Sequence, residues 1–346
     1  MSVKYTAIRA AFELLWLSGL PRLSRMLSQS RGVIFTLHRV LPQEPEPFSP
    51  NAILQVRPDF LDYVIERVRA LGADIVTLDE AIDRLAAPAR PRPFIVLTFD
   101  DAYRDNLHYA LPILRKHEAP FTLYVPTAFA DGVGQLWWQA IEDIIARQEA
   151  VAFTENDEVE FVPTATRAQK EDAFSRLYWH LRKLPEPQRL AVLAEFTAKY
   201  GYDMERQCRD LIMTWQELRL FAGEPLCTIG AHTVNHYELA KISEDDARQE
   251  MIRSVDVIHA EFGLKPAHFS YPLGGPLSCG PREFRLANDL GFRTAVTTRP
   301  GGLYPRHLNQ LTALPRVSLN GLFQQGRYVD VLASGGLMTM LGKLSG

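Results

Sequence analysis

Cysteine is scarce in this chain. The 346 residues hold three, Cys208, Cys227 and Cys279, an odd number with no Cys-x-x-Cys spacing. That argues against a disulfide framework and against a zinc-ribbon type of metal site, and it makes a reducing compartment, the cytoplasm, the simpler expectation. Long hydrophobic runs are also missing. The N-terminal stretch "MSVKYTAIRAAFELLWLSGLPRLSRML" is interrupted by Glu13, is too short to span a bilayer, and is followed by no Ala-x-Ala-like cleavage site, so a signal peptide is not expected. Basic runs interleaved with aromatics are absent, and the formal net charge is −3. Nucleic acid is therefore not an expected partner. There is no internal repeat and no low-complexity tract.

What remains is an ordinary globular composition, 47% hydrophobic and 23% charged, on a chain long enough for one large α/β domain. Ile8, Phe12, Leu15, Trp16 and Leu20 recur at helical spacing, which predicts an amphipathic helix within residues 1–30. It either packs on the domain or rests on a membrane surface, so a membrane-peripheral location is the alternative to a freely cytoplasmic one. The tail, residues 326–346, offers the same two readings.

From residue 33 short apolar runs alternate with longer helical stretches: "GVIFTLH", "RPDFLDYVIERVRALG", "ADIVTL", "FIVLTF", "APFTLYVP", and later "PLCTIGAH", "AHFSYP" and "RTAVTT". Strands that are apolar throughout, separated by amphipathic helices, predict a parallel sheet covered by helices. About seven such strands suit a (β/α) barrel over residues 31–325. The rhythm stops from Leu136 to Met213, and residues 136–213 read as a helical insertion on the barrel rim.

In such folds the site forms at the C-terminal ends of the strands. The residues there are His38, Asp100 and Asp101 in "TFDD", His232 and His236 in "HTVNH", the stretch "SYPLGG", and Arg316 in "LPRVSL". On a helical turn, His232 and His236 at i and i+4 would share a face. Two imidazoles and one carboxylate make an open three-ligand site for Zn²⁺ or a similar divalent ion. The competing explanation of the Asp pair is a solvated loop with a helix cap, but Asp105 is the better placed cap. A cation would relieve the repulsion between Asp100 and Asp101. Trp137, Trp138 and Trp215 are candidates for stacking on sugar rings, with core packing the plainer role.

"TFDD", "HTVNH" and "SYPLGG", in that order, resemble the first three motifs of the polysaccharide deacetylases, carbohydrate esterase family four, which includes the chitooligosaccharide deacetylases of nodulation. The resemblance covers roughly residues 33 to 320. It implies a distorted (β/α)₇ TIM-like barrel and removal of acetyl groups from an N-acetylated oligo- or polysaccharide with a divalent metal, commonly zinc. Carried over by position, Asp101, His232 and His236 would hold the metal and Asp100 would be the general base. The Leu273 N–H would help hold the oxyanion, and Tyr271, Pro272 and Arg316 would meet the substrate.

The chain departs from the family pattern in three places. Ala102 replaces the usual Gly after the Asp pair. Ser270 stands where an Arg often begins the third motif and orients the base, a role Arg316 could take from the last strand unless it only forms a surface ion pair. No His follows in "LPRVSL", so His38 is the expected general acid, with His307 the weaker candidate. The alternatives to deacetylation are removal of a formyl or other acyl group from a small or lipid-linked sugar, and a non-catalytic carbohydrate-binding barrel.

Overall fold

The computed structural model describes residues 3–21, 24, 28–88, 92–155 and 158–345. Three strands, β1 (Gly32–Leu37), β3 (Phe94–Phe99) and β4 (Phe121–Val125), are buried at every position. The cause is the layering: helices cover one face, the barrel interior fills the other, and neither face tolerates charge. With β2 (Asp74–Ile75), β7 (Cys227–Ala231), β8 (His268–Ser270), β9 (Thr294–Val296) and β10 (Val317–Ser318) they form one parallel sheet. Its order is β9-β8-β7-β4-β3-β1-β10, with β2 paired to the start of β3. A single parallel bridge, Val296 to Leu314, ties β9 to the segment that leads into β10. The sheet is thus a distorted (β/α)₇ barrel of the expected class, closed by a bridge where a regular barrel has a strand pair.

The strands end on a common rim because register runs along the sheet, from Leu37 beside Phe99 in β1 and β3 to Val125 beside Ala231 in β4 and β7. The next residues along the chain, His38, Asp100 and His232, therefore emerge together. Helices α2 (Pro58–Ala70), α3 (Leu78–Ala86) and α4 (Leu111–Lys116) pack outside the barrel through buried positions, at helical spacing in α2 with Leu61, Val64, Ile65 and Val68.

Residues 136–213 form a lobe with its own core, including Trp137, Ile141, Leu177, Leu193 and Phe196. Helices α5 (Trp137–Arg147), α6 (Arg167–Lys183), α7 (Glu186–Lys199) and α8 (Met204–Leu211) belong to it. It is not wholly helical, as residues 136–213 were expected to be: β5 (Ala150–Glu155) and β6 (Glu158–Pro163) make an antiparallel hairpin. The alternation in "VEFVP" explains it, since Val162 is buried while Val159 and Phe161 face out. Helices α9 (Trp215–Ala222), α10 (Glu244–Phe262) and α11 (Pro281–Asp289) return the chain to the barrel.

The two ends of the chain meet. Helix α1 (Val3–Leu17) buries Phe12 between Phe323 and Tyr328, with ring centroids 5.1 and 5.4 Å apart. The expected tail consists of α12 (Gly326–Leu332), tied to α2 by an Arg67–Asp330 ion pair of 2.7 Å, and α13 (Gly335–Ser345). Residues 1, 2, 22, 23 and 25–27 of the N-terminal segment, and residue 346, lie outside the described residues. No helix among the described residues is long and apolar enough to cross a membrane. Helix α1 nevertheless leaves Leu14 and Leu17 exposed.

Candidate active site

Asp100 and Asp101 follow β3 and are both buried. The backbone turns sharply there: Asp101 and Ala102 both take positive φ, 71° and 57°. Residues with a Cβ pay about 1–2 kcal/mol each for that conformation. Ala102 therefore sits where the family's Gly would be unstrained, and the turn points the two carboxylates in different directions.

Asp100 is held by Arg316. The Nη1 and Nη2 groups donate to its two carboxylate oxygens at 2.8 and 2.6 Å. The same guanidinium donates to Thr98 Oγ1 at 3.1 Å, Ser270 Oγ at 3.0 Å and the Thr297 carbonyl at 2.9 Å. Arg316 is 1% exposed, so neither a surface ion pair nor direct contact with substrate fits it; its donors are used on the Asp100 carboxylate and the surrounding barrel wall. Burial raises the Asp100 carboxyl, but the charge and hydrogen bonds of Arg316 outweigh it and hold the group below its ordinary value. Asp100 is thus kept as a carboxylate, with the Ser270 hydroxyl 3.4 Å from its Oδ2 as a further small partner. Thr98 was not singled out in the sequence; its position two residues before Asp100 on the same strand face was the available signal.

His232 and His236 are not on a helix. They lie in a loop after β7, with Thr233 and His236 at φ of 63° and 58°. The loop is fixed from outside by α10, where the Glu250 carboxylate accepts from the N–H groups of Val234 and Asn235, both at 2.9 Å, and from Asn235 Nδ2 at 2.6 Å. Helix α10 is itself capped by Ser243 and closed by Gly263 at φ 71°. The imidazole centroids end 4.9 Å apart.

Both Nε2 atoms face one oxygen: Asp101 Oδ1 lies 3.5 Å from His232 and 3.2 Å from His236. His232 Nδ1 is 2.6 Å from the Ser270 carbonyl, which can only accept, so Nδ1 carries the proton and Nε2 presents a lone pair. A lone pair facing a carboxylate oxygen repels unless a cation or a proton lies between. Asp101 Oδ1 is buried with no hydrogen-bond partner among the described residues. The three ligand atoms lie within 4.8 Å of one another. This buried N₂O set fits a divalent ion of the zinc type with one position left open. Phe129 and Trp138, with centroids 5.4 and 5.1 Å from the His236 ring, wall the site from water.

The other expected residues divide. His38, half-buried, follows β1 on the same rim, and its carbonyl accepts from Asn106 Nδ2 at 2.9 Å. Leu273 has φ 60°, its carbonyl accepts from Thr298 Oγ1 at 2.6 Å, and its N–H donates to no acceptor among the described residues. Gly274 beside it has no room for a side chain: a Cβ would stand 2.6 Å from the Thr298 nitrogen. Tyr271 is corrected to the core, since it is 1% exposed and its hydroxyl donates to the Thr312 carbonyl at 2.8 Å. Pro272 is buried as well. His307 accepts from the Tyr304 N–H at 3.1 Å, and burial, aided by Arg306, lowers it to about 4, which leaves it neutral and a poor proton donor at neutral pH. Asp105 is not a helix cap; it accepts from Arg39 Nε at 2.8 Å and Val40 N–H at 2.9 Å. Trp137 and Trp138 are buried, and Trp215 packs on Phe262, so all three are structural.

A barrel with an Asp-His-His cluster and an Arg-clamped carboxylate at its rim defines a class of hydrolase scaffold, and the sequence comparison agrees. Residues 87–153 and 168–295 match the family model described as "Polysaccharide deacetylase", and the chain belongs to that family of deacetylase hydrolases. A search of curated proteins returns no match. Among solved structures, a Streptococcus pyogenes deacetylase, PplD, in complex with acetate, is 20% identical over 87% of this chain and 97% of that one, with a TM-score of 0.53. IcaB from Ammonifex degensii is 19% identical over 88% and 97%, with a TM-score of 0.54. The BpsB deacetylase domain from Bordetella bronchiseptica is 18% identical over 83% and 94%, with a TM-score of 0.50. At these identities the likeness is one of fold.

Proposed function

We propose that this deacetylase is metal-dependent and removes N-acetyl groups from amino sugars of an oligo- or polysaccharide. One observation carries the reading: at the end of β3, one carboxylate is clamped by an Arg, and its neighbour's Oδ1, without a hydrogen-bond partner among the described residues, faces the Nε2 atoms of two imidazoles. Those are two different employments for adjacent acids. Asp101, His232 and His236 would hold a divalent ion, most simply Zn²⁺, which supplies Lewis acidity toward an acyl carbonyl and a water.

The chain's own residues account for the rest. Asp100, fixed by Arg316 and kept ionised, accepts a proton from the attacking water. The Leu273 N–H, which has no acceptor among the described residues, donates to the oxygen that gains charge at the acyl carbon. His38, on the same rim, gives a proton to the departing amine. Phe129 and Trp138 keep bulk water away and so strengthen these charge interactions. Acetate and a free amine result. Contact of α1 with a membrane surface is a separate proposal, supported by exposed Leu14 and Leu17.

The test is acetate release from N-acetylglucosamine oligomers and bacterial polysaccharides with and without chelator. Chelator-sensitive acetate is the expected result. Formate in its place would overturn the acyl assignment, and sugar binding without any acyl release would leave a carbohydrate-binding barrel.

A further inference from the structure

Within the inserted lobe, bordered from outside it by Arg39, lies a cleft of about 510 Å³, a size within the range of about 300–1,000 Å³ that holds small ligands. Gln139, Asp143 and Arg147 line one wall at four-residue spacing on α5. Tyr202, Asp203, Arg206 and Gln207 line it as well, together with Arg39 from outside the lobe.

Its chemistry is polar and balanced. Arg39, Arg147 and Arg206 stand against Asp143, Asp203 and Asp210, so a phosphate or a metal cation would find as much repulsion as attraction. Hydroxyl groups, which both donate and accept, find partners of both kinds. Gln207 is 7% exposed; its Nε2 donates to Asp143 Oδ2 at 3.2 Å and to Tyr202 Oη at 2.5 Å, while its Oε1 has no partner among the described residues. Burying an amide oxygen unpaired costs about 1–3 kcal/mol unless a donor arrives. Arg147 is exposed and forms no ion pair among the described residues, and Arg206 reaches Asp210 only at 3.8 Å.

Arg39 connects this cleft to the active-site rim. It follows His38 directly, its guanidinium lies 4.9 Å from the Tyr103 ring centroid, and it pairs with Asp105. We propose that the cleft is an accessory sugar subsite, which takes a neutral hexose unit of the same chain whose acetyl group is removed at Asp100. The assignment rests on the saccharide substrate proposed above. It gives the lobe a function: lengthening the stretch of polymer that the enzyme grips.

The experiment uses full-length Asp100→Asn protein, which binds without turnover, and measures its affinity by calorimetry for N-acetylglucosamine and its β-1,4- and β-1,6-linked hexamers. Arg147→Ala/Arg206→Ala and Gln207→Leu are made in that background, with melting temperature recorded as a check of folding. A hexamer of one linkage should lose affinity about tenfold or more in both variants, with the monomer unchanged. Equal hexamer affinity in parent and variants, equal loss for monomer and hexamer, or no hexamer binding in the parent overturns the subsite. Acetate release by the wild-type chain decides the catalytic reading separately. Absent acetate with hexamer binding that depends on Arg147 and Arg206 would remove deacetylation and keep the subsite.

Discussion

Arg316, on the segment that enters the last strand, grips both oxygens of Asp100 at 2.8 and 2.6 Å, although 216 residues separate them. The Arg thus reaches the base from the segment that enters β10, and Ser270 adds a hydroxyl 3.0 Å from the same guanidinium.

Replacing Arg316 tests that clamp. Lys offers a point charge in place of a planar fork, so Arg316→Lys should keep the fold but lower kcat at least about tenfold. Arg316→Met leaves a buried carboxylate unpaired and should cost about 3–5 kcal/mol of stability. Steady-state kinetics and thermal melts would check both. Wild-type kcat in Arg316→Lys would show that the fork is dispensable.

The two carboxylates should separate on substitution. His232→Ala and His236→Ala should lose bound metal and activity together, whereas Asp100→Asn should lose activity and retain metal. Metal content by elemental analysis decides this, and loss of metal in Asp100→Asn would reverse the role assignment.

Glu250 touches neither histidine ring, yet it holds the loop that carries them through Val234 and Asn235. Glu250→Ala should weaken metal affinity about 10–100-fold, as removal of outer support typically does. Competition with a chromophoric chelator would measure it. Unchanged affinity would mean that Thr233, whose Oγ1 accepts from His236 N–H at 2.9 Å, suffices to fix the loop.

Stability should depend on pH through Glu142. Burial raises this carboxyl from 4.5 to about 7, against hydrogen bonding from the Asn51 N–H at 2.7 Å. Because the folded value lies above the unfolded one, its contribution is fully present below about pH 4.5 and is lost as pH rises through 7. The ceiling is about 3 kcal/mol. Melting temperature followed across that window should fall with pH less steeply in Glu142→Gln than in the parent chain, and identical slopes would defeat the assignment.

Most of the barrel was readable in the sequence because strands buried on both faces must be apolar at every position, as "GVIFTL" and "FIVLTF" are. The rim residues were readable for the same reason: a charged or imidazole side chain directly after such a strand stands out. The lobe was read less well. Its hairpin alternates over only a few residues in an acidic stretch of sequence, a signal weaker than the helical periodicity around it.

Two local readings had other causes than expected. His232 and His236 do meet, but through a loop with two positive-φ residues clamped by α10, where a helical turn was predicted. Asp105 looked like a cap because it precedes a helix. Arg39, 66 residues earlier, takes its carboxylate.

By itself, then, the sequence determined the strand rhythm, the order of the motifs and the pair of carboxylates at the end of β3, since each is written in neighbouring residues. Only the tertiary structure decided how those carboxylates are compensated. Barrel closure brings Arg316 to Asp100, and the β7 loop sets two imidazoles against Asp101. Both are long-range contacts between charged or polar groups whose burial is costly and is offset only by partners that the whole fold positions, and no local pattern records which distant partner the fold will deliver.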